Sequence, residues 1–166
     1  MVRNEIWEEM KKAKTYQESC LYYVDKKRNF NRIYNLAIIG VAAIGGPTFF
    51  LNHWCAFVST IAASVLETIK CFIPVVCQSE EELVEIDSLA IYFGNTLQKL
   101  EVLWNNFECN KEKVEVATSK ELTKILKDSN ERITTMNKLI HSLNKSEDKM
   151  IQDKADDYLK RKFYEQ

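Results

Sequence analysis

The sequence predicts an all-α fold: a transmembrane helical hairpin and a cytoplasmic bundle of long helices, assembled as a homo-oligomer. Three observations carry this reading. From Ile33 to Leu66 there is no Asp, Glu, Lys or Arg, an uncharged run of 34 residues. Outside residues 33–77 there is one glycine, Gly94, and no proline, too little punctuation for strands and tight turns. Residues 80–108 carry a sustained heptad pattern of apolar positions. The mean hydropathy of −0.30 averages these unlike parts and describes neither.

Charge divides the chain into blocks. Residues 1–32 hold eight Lys/Arg against five Asp/Glu, and residues 33–77 hold only Glu67 and Lys70. Residues 78–110 hold seven acids against Lys99, and residues 111–166 hold thirteen basic against eleven acidic residues. The implied organisation is an N-terminal amphipathic helix (1–32), a hairpin (33–77) and a C-terminal helical region (78–166). The net charge of −1 points to no class of partner.

In the first segment Ile6, Met10, Ala13, Cys20 and Val24 recur at helical spacing. The hairpin follows. A membrane helix needs about 20 mainly apolar residues, and two stretches meet this, Ile33–Leu51 and Trp54–Val76. The short link around Asn52-His53 makes them antiparallel neighbours. Pro47, after Gly45-Gly46, offers an earlier end, with residues 48–54 as the turn. Lys26, Lys27, Arg28 and Arg32 precede the first stretch and the link has no Lys or Arg. Both termini are therefore expected on the cytoplasmic side of the cell membrane. Phe49, Phe50 and Trp54 would sit at the outer interface. The competing reading is a hairpin buried in a soluble bundle, but the first stretch lacks the polar stripe such a helix shows.

Within the second stretch Thr60, Ser64, Glu67 and Cys71 are spaced four, three and four, which places them on one helix face. These are the candidate pore-lining residues of an oligomer. Ionisable groups inside a bilayer are costly and face a partner or water. In the alternative, Glu67 and Lys70 pair near the cytoplasmic end and reach the interface.

Beyond the hairpin, Ser79 before Glu80, Glu81 and Glu82 reads as a helix cap. Ile86, Ala90, Phe93, Leu97, Leu100, Trp104 and Phe107 then form a heptad seam. The seam suits either the subunit core or an assembly interface. A further helix is expected over residues 112–143, with Leu122, Ile125, Ile133, Met136, Ile140 and Leu143 on its apolar side. Ser146 is expected to cap a last helix holding Met150, Ile151, Tyr158, Leu159 and Phe163.

The residues exclude several chemistries. There is no phosphate-binding glycine loop, no HExxH and no GxSxG. The five cysteines form no CxxC pair, and His53 and His141 have no metal-type spacing with them. We therefore expect no catalytic residue, no metal and no cofactor, and free thiols at Cys20 and Cys109. The first 32 residues are too charged for a secretory signal.

Basic clusters remain. Lys120, Lys124 and Lys127 share one helix face, with Arg132 and Lys138 further along. These five are the candidate ligand-binding residues, since phosphates bind such cations. Lys11, Lys12 and Lys14 cluster near the start, and Lys160, Arg161 and Lys162 near the end. Glu121, Asp128 and Glu131 interleave with the first set, which is also how a plain solvated face looks. Gathered around an oligomer axis, the same lysines would make a cationic funnel.

The layout resembles the SLATT-domain family of bacterial two-transmembrane effectors. The resemblance lies in IWEEMKKAKTYQESCLYYV, the basic juncture DKKRNFNRIYN, the tight hairpin and the long helix EELVEIDSLAIYFGNTLQKLEVLWNNF. It covers about residues 1–145, and the Glu67/Lys70 pair departs from it. The resemblance implies a pore-forming effector of anti-phage defence in the bacterial inner membrane. It implies a homo-oligomer, taken as a tetramer by analogy with small pore-forming assemblies. It also implies gating by a nucleotide or short oligonucleotide made by a nucleotidyltransferase encoded nearby. Opening would depolarise the membrane and arrest growth; in most systems of this kind the signal would open the effector, whereas in Hailong-type systems, which this small effector resembles most, an oligonucleotide would hold it closed. The other reading of the residues is a membrane-tethered helical scaffold that binds a partner protein without a pore.

Overall fold

The computed structural model is all-α, and it describes residues 2–48, 53–72, 79–109, 115–140 and 143–164. Five helices occupy them: α1 Val2–Thr48, α2 His53–Phe72, α3 Glu80–Cys109, α4 Glu115–Leu139 and α5 Lys145–Phe163. Contacts group the chain into two compact units, Met1–Val24 with Val84–Gln166, and Asp25–Leu83. Residues 2–24 thus pack with the C-terminal helices, and residues 25–48 with α2.

In the first unit the heptad seam of α3 is the subunit core. Ile86, Ala90, Phe93, Leu97, Leu100 and Trp104 are all buried, and Phe107 packs at the edge. Of the two uses open to this seam, the structure shows the intrasubunit one. The expected positions of α1 face it: Ile6, Met10 and Ala13 pack with Leu100, Leu103 and Trp104. Cys20 and Val24 pack with Ile86 and Leu89. Those pairings make α1 and α3 antiparallel. On α4, Leu122 joins the first cluster and Met136 the second, so α4 also runs against α3. Tyr22 donates to Glu147 at 3.0 Å near the start of α5, and Lys162 donates to Glu101 at 2.6 Å near its end. The result is a four-helix antiparallel bundle. Trp7 and Trp104, with ring centroids 5.5 Å apart, close one end together with Phe163.

The helix ends follow side-chain chemistry. Ser79 Oγ accepts from Glu82 N at 3.3 Å, and Ser79 N donates to Glu82 Oε2 at 3.4 Å. This is the expected cap of α3, reinforced by a reciprocal bond. The cap of α5 is Asn144, not Ser146. Asn144 Oδ1 accepts from Glu147 N at 2.9 Å, while Asn144 N donates to Glu147 Oε2 at 3.0 Å. Asn144 has a glutamate three residues on; Ser146 has Lys149 there, which cannot return the bond. Ser146 therefore lies inside the first turn. Described α4 runs from Glu115 to Leu139; of its expected span, residues 112–114, 141 and 142 lie outside the described residues.

The second unit holds the rest of α1 and α2. Tyr34 donates to the Leu66 carbonyl at 2.6 Å, which joins the two helices. Half-buried Asn31, Tyr34, Ile38 and Val41 on α1 recur at intervals of 3, 4 and 3, and Ser59, Ala62 and Leu66 on α2 at intervals of 3 and 4, with half-buried Ala63 beside them. α1 continues through Gly45, Gly46 and Pro47 to Thr48, so Pro47 does not end it. Among the described residues no helix is long and apolar enough to cross a membrane. The apolar half of α1 is one helix with its charged half, and α2 includes Glu67 and Lys70. Residues 49–52 and 73–76, the expected link and the end of the second stretch, lie outside the described residues.

Candidate functional site

On α2 the face expected to line a pore is open. Thr60, Ser64 and Glu67 are all exposed. Cys71 lies on the last turn of the same helix. The Ser64 carbonyl accepts from Thr68 Oγ1 at 2.7 Å, a local bond within the helix. The polar stripe is flanked by apolar side chains turned away from α1: Phe57, Val58, Ile61 and Val65 are each about half exposed or more, and Trp54 is 75% exposed. On the other helix Ile33 is 65% exposed, with Leu36 and Ile39 close behind. Among the described residues, the helix pair half-buries Ile38, Val41 and Leu66 with small and polar groups, and leaves a larger set of apolar side chains exposed.

The candidate ligand-binding residues lie on α4, and the structure brings only some of them together. Lys120, Lys124, Lys127, Arg132 and Lys138 are all exposed. Lys124 and Lys127 join Lys99 of α3 in an open groove of about 630 Å³. Glu121, Asp128 and Glu131 line the same groove, so its charge is balanced. Arg132 lies elsewhere, its guanidinium 5.5 Å from the centroid of Tyr92, whose hydroxyl donates to Asp128 at 2.9 Å. Lys120 and Lys138 do not line this groove. The chain thus brings two of the five cations together in one place, beside three acids.

Two cavities escaped the sequence reading. One, of about 500 Å³, opens between α1, α4 and the start of α5 and is lined by Lys11, Thr15, Ser19, Asn137 and Gln152 among others. A second, of about 400 Å³, lies between α1, α3 and α4 beside Phe93, Thr96 and Ser129. Lys12 and Tyr16 border both. Their signal in the sequence is the break in the apolar spacing of α1 between Ala13 and Cys20, where Tyr16 and Gln17 stand. The lysines here are already partnered. Lys11 is held above its ordinary pKa by its hydrogen bond to Asp156, and Lys12 by its hydrogen bond to Glu9. Paired cations of this kind are poor anion receptors.

The sequence reading also missed Glu101. It is a buried carboxylate, accepting from Lys162 at 2.6 Å and Tyr158 at 3.1 Å. Lys162, expected only as part of a terminal basic cluster, is thus a bundle contact. His53 opens α2, and His141 lies outside the described residues. Cys20 is a buried free thiol, its pKa pushed up to about 12 by burial, which makes it inert. Among the described residues no group of three or more His, Cys, Asp and Glu is placed to hold a metal. Comparison with known proteins finds no matching family model, no matching curated protein and no matching solved structure.

Proposed function

We propose that this protein is a membrane-inserted effector whose hairpins assemble into a ligand-gated pore. The observation that carries the reading is the outward array of large apolar side chains on both hairpin helices: Ile33, Leu36, Ile39, Trp54, Phe57, Val58, Ile61 and Val65. An exposed apolar surface of this extent marks a lipid or protein interface. Lipid accounts for its presence on both helices and for the basic group Lys26, Lys27, Arg28 and Arg32 next to it. The open stripe Thr60, Ser64 and Glu67 supplies the polar face that a pore needs once several copies surround an axis.

The ligand side of the proposal rests on the resemblance to SLATT-domain effectors and on the cations of α4. One subunit's groove is charge-balanced, so a polyanion gains most where grooves of several copies face a common axis. Gating energy would come from the difference in ligand affinity between open and closed assemblies.

The test is conductance of the purified chain in planar bilayers, with and without a short oligonucleotide. Channel events that respond to the oligonucleotide, and that Ser64→Leu with Glu67→Leu abolishes, are the expected result. A chain that remains in the membrane pellet but passes no current under any condition would overturn the pore and leave the membrane-tethered scaffold. A chain recovered as a dispersed monomer without detergent would overturn both.

A further inference from the structure

The exposed face of α1 changes character at Arg32. Arg28, Arg32 and Ile39 lie on one stripe of the helix, at intervals of 4 and 7. Asn29, Ile33 and Leu36 lie on the stripe beside it, at 4 and 3, and all six are exposed. Cations thus stand at one end of this face and large apolar side chains at the other. Lys26 and Phe30, both exposed, flank the polar end. The Phe30 ring stacks on Tyr34, with centroids 6.1 Å apart. Asp25 is the acid of the first stripe, about a turn further from the apolar end. Arg28 reaches Glu80 only at 3.9 Å, and both side chains are exposed. An exposed pair at that distance holds its members weakly.

We infer that this face is a binding site for an anionic phospholipid, its phosphate held between Arg28 and Arg32 and its acyl chains laid along Ile33, Leu36 and Ile39. The site rests on the membrane-inserted reading of the hairpin and adds which lipid the hairpin selects. Residues 33–43 rise about 15 Å, half of the roughly 30 Å of hydrocarbon in a bilayer. The apolar end therefore matches one leaflet, and Arg32 falls at the level of its phosphates. Guanidinium groups bind phosphate oxygens through paired N–H donors, and the Asn29 amide adds another donor. Phe30 stands where a membrane interface favours an aromatic ring. Charge selects the class of lipid. A zwitterionic headgroup brings a cation of its own to a place that already holds Lys26, Arg28 and Arg32, and an anionic one does not. Each such cation near the surface favours anionic lipid about fivefold. The phosphate replaces Glu80 as the partner of Arg28. Free phosphate meets the same cations but leaves the apolar end uncovered.

Lipid retention by the full-length chain tests it. The chain is reconstituted in vesicles of equal parts phosphatidylcholine and phosphatidylglycerol, and its insertion is checked by alkaline carbonate extraction. It is then purified in a neutral detergent, and the phospholipid that stays with it is counted by class. The parent chain should hold at least about fivefold more phosphatidylglycerol than phosphatidylcholine. Arg28→Gln with Arg32→Gln should bring the two close to parity while circular dichroism shows unchanged helix content, and Lys26 and Lys27 still set the orientation. Glycerol phosphate added during purification should not displace the retained lipid. A carbonate-resistant parent chain that holds both lipids equally would overturn the site, as would a glutamine variant that keeps the parent's preference. Displacement by glycerol phosphate would overturn the lipid as its occupant. A chain released by carbonate would overturn the insertion itself, so failure of the site and failure of the membrane reading are told apart.

Discussion

Lys162 Nζ lies 2.6 Å from Glu101 Oε2 and 3.0 Å from the Tyr158 hydroxyl, and Tyr158 donates to the other oxygen of Glu101. Three side chains from α3 and α5 thus satisfy one another around a buried carboxylate. Replacing the carboxylate takes the acceptor from the Tyr158 hydroxyl and the counter-ion from Lys162, whereas replacing the half-exposed lysine leaves Tyr158 still bonded to Glu101. Glu101→Ala should therefore lower stability by about 2 kcal/mol, and Lys162→Ala by about half that, since solvent screens its charge. Denaturant titrations of both variants against the parent chain check the order. Equal losses would mean that the carboxylate is not the hub.

Alkaline pH should weaken the bundle in two stages. Burial raises the Cys20 thiol from 9.0 to about 12. The unfolded chain releases that proton first, so stability is constant below pH 9 and falls between pH 9 and 12. At pH 10.5 the loss amounts to roughly 2 kcal/mol. For Lys162 burial acts downward, but its bonds to Glu101 and Tyr158 outweigh it and the ammonium titrates above 10.5. Its contribution is complete below pH 10.5 and is lost as pH rises through the raised value. Stability measured from pH 8 to 11 should show a decline beginning near pH 9 that Cys20→Ala removes. A Cys20→Ala profile that matches the parent's would rule out the thiol as its source.

The capping pattern of α5 makes a sharper test. Asn144→Ala removes the side-chain acceptor for Glu147 N and leaves only the backbone half of the reciprocal pair, and should cost about 1 kcal/mol. Ser146→Ala should change stability by less than about 0.3 kcal/mol, since alanine suits a helix interior. Thermal unfolding of the two variants distinguishes the caps directly.

Much of the bundle is legible in the sequence because burial follows one period. The seam from Ile86 to Trp104 and the positions Ile6, Met10, Ala13, Cys20 and Val24 are periodic, and all are buried. The cap at Asn144 is less legible, because Asn144 and Ser146 are both good cap residues and only the identity of the third residue on separates them. The candidate site is harder still. A face shared by Lys120, Lys124 and Lys127 says nothing of what stands across the groove, and Lys99, Glu121, Asp128 and Glu131 decide its charge. The Glu101–Lys162 contact joins residues 61 apart in sequence, and no local pattern announces it.

Gly94 lies within α3, and its backbone does not require glycine: no positive φ occurs among the described residues. What it accommodates is Gln17 of α1. A Cβ at this position would come within 2.7 Å of Gln17 Nε2 and 3.5 Å of its Cδ. Gln17 Oε1 accepts from Lys14 Nζ at 3.1 Å, so the clash falls on the far end of a flexible side chain. Replacing an interior helical glycine by alanine is worth about 1 kcal/mol, and moving the amide offsets part of it. Gly94→Ala should therefore be neutral to mildly stabilising. Gly94→Ala combined with Gln17→Ala should be more stable than Gln17→Ala alone by about 1 kcal/mol, because no amide then needs to move. A loss above about 1 kcal/mol in Gly94→Ala alone, seen in a denaturant titration, would mean that Gln17 cannot yield and that the glycine sets the α1–α3 approach.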